Sequence, residues 1–350
     1  MDTQLIPTQP TPTTIEMTDA HIERFKRYEI GRRSKSTVAT YERLMRGFRV
    51  WCVSKSLSPC PAHPQTVWAY LDELASRAKP VAQATLTSIK AAIQYEHERQ
   101  RQPDPFVAGG LESQTLLLQF QGMRRELAGR RPRRATALTL EQLEAVFEAI
   151  NSAEPIGLRD ACGMAIAVFN ADRRSEVVGL LIEDVQWEAT GALITLRRSK
   201  TDQLGQGATL IAPSVDGLID PGGMLRSWME WLSAHGVTRG PLMREIRNLN
   251  GKPAPVNTGK ADDAISGSWF NETVKRYAKG AGIDLPPGAH VSSHSLRRSA
   301  ATLVARTGAG AMQVAEFGRW SDPRTVQRTY LQDNAAERIK LAQRTFVNGN

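Results

Sequence analysis

The sequence has little of what anchors a protein from outside. There are three cysteines, Cys52, Cys60 and Cys162, an odd number with no paired metal spacing. Neither a disulfide framework nor a zinc site is expected, and the thiols read as reduced, cytosolic ones. No run approaches the ~18 consecutive apolar residues of a membrane span. Met1 to Asp19 lacks the charged-then-apolar order of a secretory signal. Thr and Pro dominate that start, so residues 1–18 are expected to be a disordered tail. Lysine is scarce, with 11 against 34 arginines, and only one tyrosine, Tyr330, follows Ala278.

What is present is positive charge of one chemical type. The formal net charge is +9, and the arginine excess favours a polyanionic partner, because the guanidinium fork matches phosphate oxygens two at a time. The arginine usage of a GC-rich genome gives the same bias and stays open as an alternative. With 350 residues and 41% hydrophobic content, the chain is long enough for two domains with their own cores.

The first part reads as all helical. From Ser36 to Lys55, Val38, Tyr41, Met45, Phe48 and Cys52 recur at helical spacing, with Arg43, Arg46 and Arg49 between them. Pro59, Pro61 and Pro64 break that pattern. Further helices are expected at about Thr66–Ser76, Ala82–Arg101 and Leu111–Leu127. Arg130, Arg131, Arg133 and Arg134 then flank Pro132, which marks a domain boundary. This basic stretch is either a strap along a phosphate backbone or a solvated linker.

A new domain opens with the capping box of Thr139 and Gln142, ahead of Leu143, Val146, Phe147 and Ile150. Gly157 to Asn170 is apolar enough for a buried helix. Arg173 follows, and Glu176, three residues on, can hold it; a purely structural pair is the alternative. Gly191 to about Ile211 reads as a hairpin with Lys200 where the first strand gives out. A lysine there can reach a leaving oxygen, although most turn lysines carry no chemistry. Helices are expected at Met224–Ala234 and Asp262–Ala281, with Trp228 and Trp231 as core.

Near the end stand His294 and Arg297, three apart and so on one helix face, with Ser292 or Ser293 as the cap. His290 lies four residues before His294, but no third ligand is evident and a metal site is rejected. Asp322 caps a helix with Pro323 in its first turn, and Tyr330 lies two turns along. The residues from Asp333 to Phe346 read as a last helix with Ile339, Ala342 and Phe346 on one face.

Arg173, Glu176, Lys200, His294, Arg297, Trp320 and Tyr330, in that order, resemble the tyrosine recombinases, the phage integrase family, and the Cre-like group within it most closely. Trp320 is what points to that group. The resemblance covers nearly the whole chain. Trp320 to Tyr330 is one residue longer than the family's usual spacing, and the extra residue is placed in the turn Ser321-Asp322-Pro323. The resemblance implies a mainly α fold with a small β-hairpin or sheet, built as a two-domain DNA clamp. Residues 19–128 would be a helical, SAM-like core-binding domain, 129–137 a basic linker, and 138–350 the catalytic domain with a C-terminal exchange helix. The segment before the first helix is too short for an arm-binding domain, which is similar to the simpler recombinases.

The implied activity is site-specific strand exchange through a 3′-phosphotyrosine. Arg173, Arg297 and Trp320 would bind the scissile phosphate. Tyr330 would attack, Lys200 would protonate the leaving oxygen, His294 would assist and Glu176 would position its neighbours. No cofactor or metal is expected, because the ester keeps the bond energy. Expected partners are double-stranded DNA with inverted-repeat sites and a homo-tetramer joined through the C-terminal helix. Arg43, Arg46, Lys90, Arg130, Arg131, Arg133 and Arg134 are the expected DNA contacts. The expected setting is bacterial cytoplasm, plasmid or phage encoded, with no membrane. A type IB topoisomerase and a non-catalytic DNA-binding regulator are the rival classes.

Overall fold

The structure is a computed structural model that describes residues 18–21, 23, 24, 28, 32–128, 135–197 and 207–327. Its contacts divide the chain into two units, Met1–Pro132 and Arg133–Asn350. The fold is predominantly helical with a small antiparallel sheet.

In the first unit, α1 (Lys35–Ser54) begins at Ser34, whose hydroxyl accepts from the Thr37 amide at 3.2 Å. Its apolar stripe buries Met45, Phe48 and Cys52, as the spacing requires. The second helix, α2 (Pro64–Ala75), starts two residues earlier than expected. Pro64 occupies the first turn, where no amide hydrogen is needed, so it starts the helix and does not break one. Leu86, Ile89 and Ile93 of α3 (Gln83–Arg99) and Leu116 and Phe120 of α4 (Gly110–Leu127) complete this core. Each such side chain contributes roughly 1.5–3 kcal/mol when fully buried.

In the second unit, Thr139 and Gln142 close the expected capping box on α5 (Leu140–Glu148), with bonds of 3.2 and 3.0 Å. The apolar helix is α6 (Pro155–Phe169), buried along almost its whole length. It is not purely apolar. Arg159 and Asp160 form a buried ion pair of 2.6 Å, and Asp160 also accepts from Arg276 at 3.0 Å and Tyr277 at 3.2 Å. After the one-turn helix α7 (Arg174–Val177) come β1 (Val185–Glu188), β2 (Gly191–Leu196) and β3 (Ala208–Pro213), antiparallel in that order. Thr195 pairs with Thr209 and Val185 with Ile194. The expected hairpin is β2 and β3; β1 adds a strand that periodicity did not mark, because it is largely exposed.

Beyond α8 (Pro221–Ala234), a second hairpin joins β4 (Ile246–Leu249) to β5 (Lys252–Pro255). Its turn is Asn250-Gly251, both at positive φ (53° and 81°), which suits the right-handed twist of paired strands. The next helix, α9 (Gly267–Gly280), starts five residues later than expected. The reason is Asp263, which is buried and accepts from Arg244 at 2.9 Å and from the amides of Thr258 and Gly259. Those donors hold Asp263 outside a regular helix, and Ser266 then caps α9. The last described helices are α10 (Ser293–Arg306), α11 (Ala311–Phe317) and α12 (Pro323–Val326), the last capped by Asp322 at 2.9 Å as expected.

One side chain fixes the sheet to α6. Asn170 donates to the carbonyls of Ile166 (3.0 Å) and Ile211 (2.8 Å) and accepts from the Ile211 amide (2.8 Å), taking the place of a further strand along the β3 edge. Asn170→Ala leaves the Ile211 amide and carbonyl without this partner, while the Ile166 carbonyl keeps the amide of residue 170 at 3.1 Å, and is expected to cost about 1–3 kcal/mol. Denaturant unfolding measures the loss, and amide exchange at Ile211 should accelerate with it; unchanged stability would show the sheet to be held elsewhere.

Candidate active site

The site forms where α6, α7, α10 and α11 end or begin. After α6 the chain reverses at Ala171, which has φ 49°, a left-handed geometry that glycine usually takes at a helix end. Arg173 is the residue at the N-terminal end of α7, and Glu176 answers it twice. One carboxylate oxygen accepts from the Arg173 backbone amide at 3.0 Å, the other from its guanidinium at 2.6 Å. Glu176 is buried. Burial raises its pKa, but the Arg173 bonds outweigh it, so the carboxyl lies below its usual range. Arg173 remains 22% exposed.

The His-x-x-Arg pair lies on the first turns of α10. Ser292, not Ser293, is the cap: its hydroxyl accepts from the His294 amide at 3.3 Å, and Ser295 accepts from the Ser292 amide at 3.1 Å. Ser293 instead ties the helix to α9, through its amide (2.9 Å) and hydroxyl (3.0 Å) to Asn271. Arg297 is 1% exposed. Its guanidinium donates to the Ala171 carbonyl and, at 2.9 Å, to the Gly318 carbonyl, and lies 3.9 Å from the Trp320 ring centroid. His294 is exposed as a residue, yet its pKa is lowered, first by desolvation and then by the positive charges of Arg297, Arg298 and Arg173. The ring is therefore neutral at neutral pH, able to take up a proton.

Two residues of this cluster were absent from the motif reading. Asp172 is buried, and its carboxylate accepts from Arg319. Burial pushes Asp172 up to about 8, with Arg319 pulling against that rise and Glu176 adding to it. Arg319 has φ 54° and lies 3.6 Å from Glu176. Asp172 directly precedes Arg173, and Arg319 directly precedes Trp320; a charged neighbour on each motif residue was the available signal.

Of the sequence-predicted residues, Arg173, Glu176, His294, Arg297 and Trp320 come together. Lys200 and Tyr330 lie outside the described residues, as do Arg130, Arg131, Arg133 and Arg134 and the last helix read from the sequence. The extra residue before Tyr330 was placed in the Ser321–Pro323 turn. Arg43 and Arg46 are exposed on α1, away from its core face. Lys90 is half-buried, its ammonium 4.8 Å from the Phe106 ring centroid and 5.4 Å from that of Phe120. Among the described residues, no group of three or more His, Cys, Asp or Glu is placed to hold a metal ion, and no helix is long and apolar enough to cross a membrane.

Paired guanidiniums beside a neutral imidazole and an indole make a centre whose chemistry suits a phosphate. The Phage integrase family matches residues 241–337. The chain is 26% identical over 323 residues to an integrase/recombinase xerD homolog of Selenomonas ruminantium, covering 88% of this chain and 86% of that one. It is 25% identical over 286 residues to the recombinase cre of Escherichia phage P1, covering 79% and 78%. In fold it is similar to the Tn1549 transposon integrase in complex with transposon right end DNA, with a TM-score of 0.55 at 13% identity over 95% of this chain and 100% of that one. Along most of its length the chain is thus similar to tyrosine recombinases, and its residues 241–337 carry the match to the phage integrase family.

Gly318 places Trp320 against Arg297. A Cβ at position 318 would lie 1.7 Å from the indole Cζ3, so Gly318→Ala must displace the ring. Overpacking of this kind costs about 1–3 kcal/mol. Thermal unfolding should fall accordingly, while Gly122→Ala, which meets nothing within 4 Å, serves as the control. Equal stability of the two variants would mean that Trp320 does not depend on the glycine.

Proposed function

We propose that this tyrosine recombinase carries out site-specific DNA recombination with Arg173, Glu176, Lys200, His294, Arg297, Trp320 and Tyr330 as its catalytic set. The observation that carries the reading is the convergence of Arg173, Glu176, His294, Arg297 and Trp320 from three chain segments. Arg173 and Arg297 bind the non-bridging oxygens of the scissile phosphate, where charge grows in the transition state. The Tyr330 oxygen forms the new P–O bond and the bond to the 5′ oxygen breaks, leaving a 3′-phosphotyrosine. Lys200 gives its proton to the departing oxygen. The neutral His294 ring handles the proton of the attacking phenol. The partner strand's 5′ hydroxyl reverses the step, and no external energy enters because the number of phosphoester bonds is unchanged.

The helical first unit serves as the core-binding domain and residues 138–350 as the catalytic domain, with a basic strap at Arg130, Arg131, Arg133 and Arg134. The target is double-stranded DNA with inverted repeats, since two-fold symmetry in the site mirrors a protein pair. Arg43, Arg46 and Lys90 add phosphate contacts. The setting is cytoplasmic, on bacterial, plasmid or phage DNA. Support comes from the net charge of +9 and from relatives named as recombinases. The apolar face of Ile339, Ala342 and Phe346, directly after the nucleophile, suits a helix lent to the next protomer of a tetramer.

On a nicked target duplex, Tyr330→Phe should bind DNA and form no covalent adduct on a denaturing gel; an adduct surviving in that variant would reassign the nucleophile. Arg297→Ala should slow adduct formation by about 10²–10³, a loss of some 3–4 kcal/mol from one clamp donor. Relaxation of any supercoiled circle, whatever its sequence, would favour the topoisomerase reading.

Removing residues 334–350 should leave a folded protein that binds single sites and does not pair them. Sedimentation of the protein–DNA complex checks this, and four-protomer complexes from the truncated chain would place the helix in its own core.

A further inference from the structure

Two carboxyl groups and two partly exposed guanidiniums share the floor of the site, and their pairing is not the only one within reach. Arg319 bonds Asp172 through Nη2, the same nitrogen that lies 3.6 Å from the Oε2 of Glu176. Glu176 meanwhile holds Arg173, at 2.6 Å to the guanidinium and 3.0 Å to the amide. Arg173 and Arg319 are each 22% exposed, while Asp172 and Glu176 are buried. Asp172 Oδ2 has no hydrogen-bond partner among the described residues. A buried carboxyl bonded through one oxygen alone is a poor arrangement for stability. Its value lies in what it does to Arg319.

We propose that Asp172 is a positioning residue: by holding the Arg319 guanidinium, it leaves Glu176 to orient Arg173 toward the phosphate. The inference rests on the reading of Arg173 and Glu176 as members of the reacting site. Without the Asp172 acceptor, the nearest carboxylate for Arg319 is Glu176. An arginine captured there forms a charge-assisted pair at the expense of Arg173, which then loses its fixed direction. DNA affinity, spread over many phosphates, changes little, and the chemical step suffers.

The test compares three variants on a nicked duplex carrying the half-site that the wild-type protein selects from a random-sequence pool. Asp172→Ala removes the acceptor, Asp172→Asn keeps an oxygen for Arg319, and Asp172→Ala with Arg319→Met removes the competitor as well. Single-turnover cleavage at saturating protein should fall about tenfold or more in Asp172→Ala, with the half-site Kd within about threefold. Cleavage should return to within about threefold of wild type in Asp172→Asn and in the double variant, a non-additive rescue that only coupled residues give. Wild-type cleavage by Asp172→Ala, or a double variant as slow as the single, overturns the proposal. Should Asp172→Ala not fold, Asp172→Ser, too short to reach Arg319, takes its place, and failure of both to fold makes Asp172 structural and overturns the assignment too. Arg173→Ala on the same duplex separates the two levels. If it cleaves at the wild-type rate, the reading of the site falls and takes this inference with it; if it is slow while Asp172→Ala is not, the inference alone falls.

Discussion

The burial of one guanidinium constrains the whole catalytic unit. Arg297 is 1% exposed, and a charge so removed from water costs several kcal/mol unless its donors are met. The carbonyls that meet them belong to Ala171, 126 positions away in the chain, and to Gly318, 21 positions away. The Trp320 ring covers the guanidinium plane. Arg297 is thus satisfied only once the end of α6, the start of α10 and the end of α11 have come together. Folding of the unit and assembly of the proposed phosphate clamp are therefore coupled. Both turns that supply the carbonyls carry a residue in left-handed geometry, Ala171 and Arg319, where a glycine is the easier choice.

Electrostatics follow from that arrangement. Arg173, Arg297 and Arg319 gather around Glu176 and Asp172, while desolvation and then the charges of Arg297, Arg298 and Arg173 keep the proton off His294. For the proposed reaction, the useful consequence is that Glu176 orients Arg173 before any anion arrives. Not every arginine in the chain is available for such a task. Arg49 is bonded to the buried Glu96, and Arg159 and Arg244 are sealed into the core with Asp160 and Asp263. The positive surface is therefore smaller than the arginine count suggests.

Much of the architecture was legible because helices announce themselves by period. Met45, Phe48 and Cys52, the Thr139 capping box and the Asp322-Pro323 start all fall where their spacing puts them. His294 and Arg297 could be read as sharing a helix face, and Glu176 as the group that holds Arg173. The second hairpin was missed although its Asn250-Gly251 turn is a direct signal, because its strands are short and exposed. The start of α9 was misplaced because a buried carboxylate, Asp263, overrode helical propensity.

What the sequence by itself determined is an inventory: which helices carry apolar stripes, which caps start them, and which guanidinium, imidazole, indole and phenol groups the chain owns. What only the tertiary structure decided is how those groups are paired. Periodicity cannot show that Arg297 is buried while Arg173 reaches solvent, or that Asp172 meets Arg319 across 147 positions. The physical reason is that the acceptors around Arg297 include backbone carbonyls, which every residue possesses and no side-chain pattern marks. Which carbonyl faces a guanidinium depends on where two helices happen to end, and that is settled by packing alone.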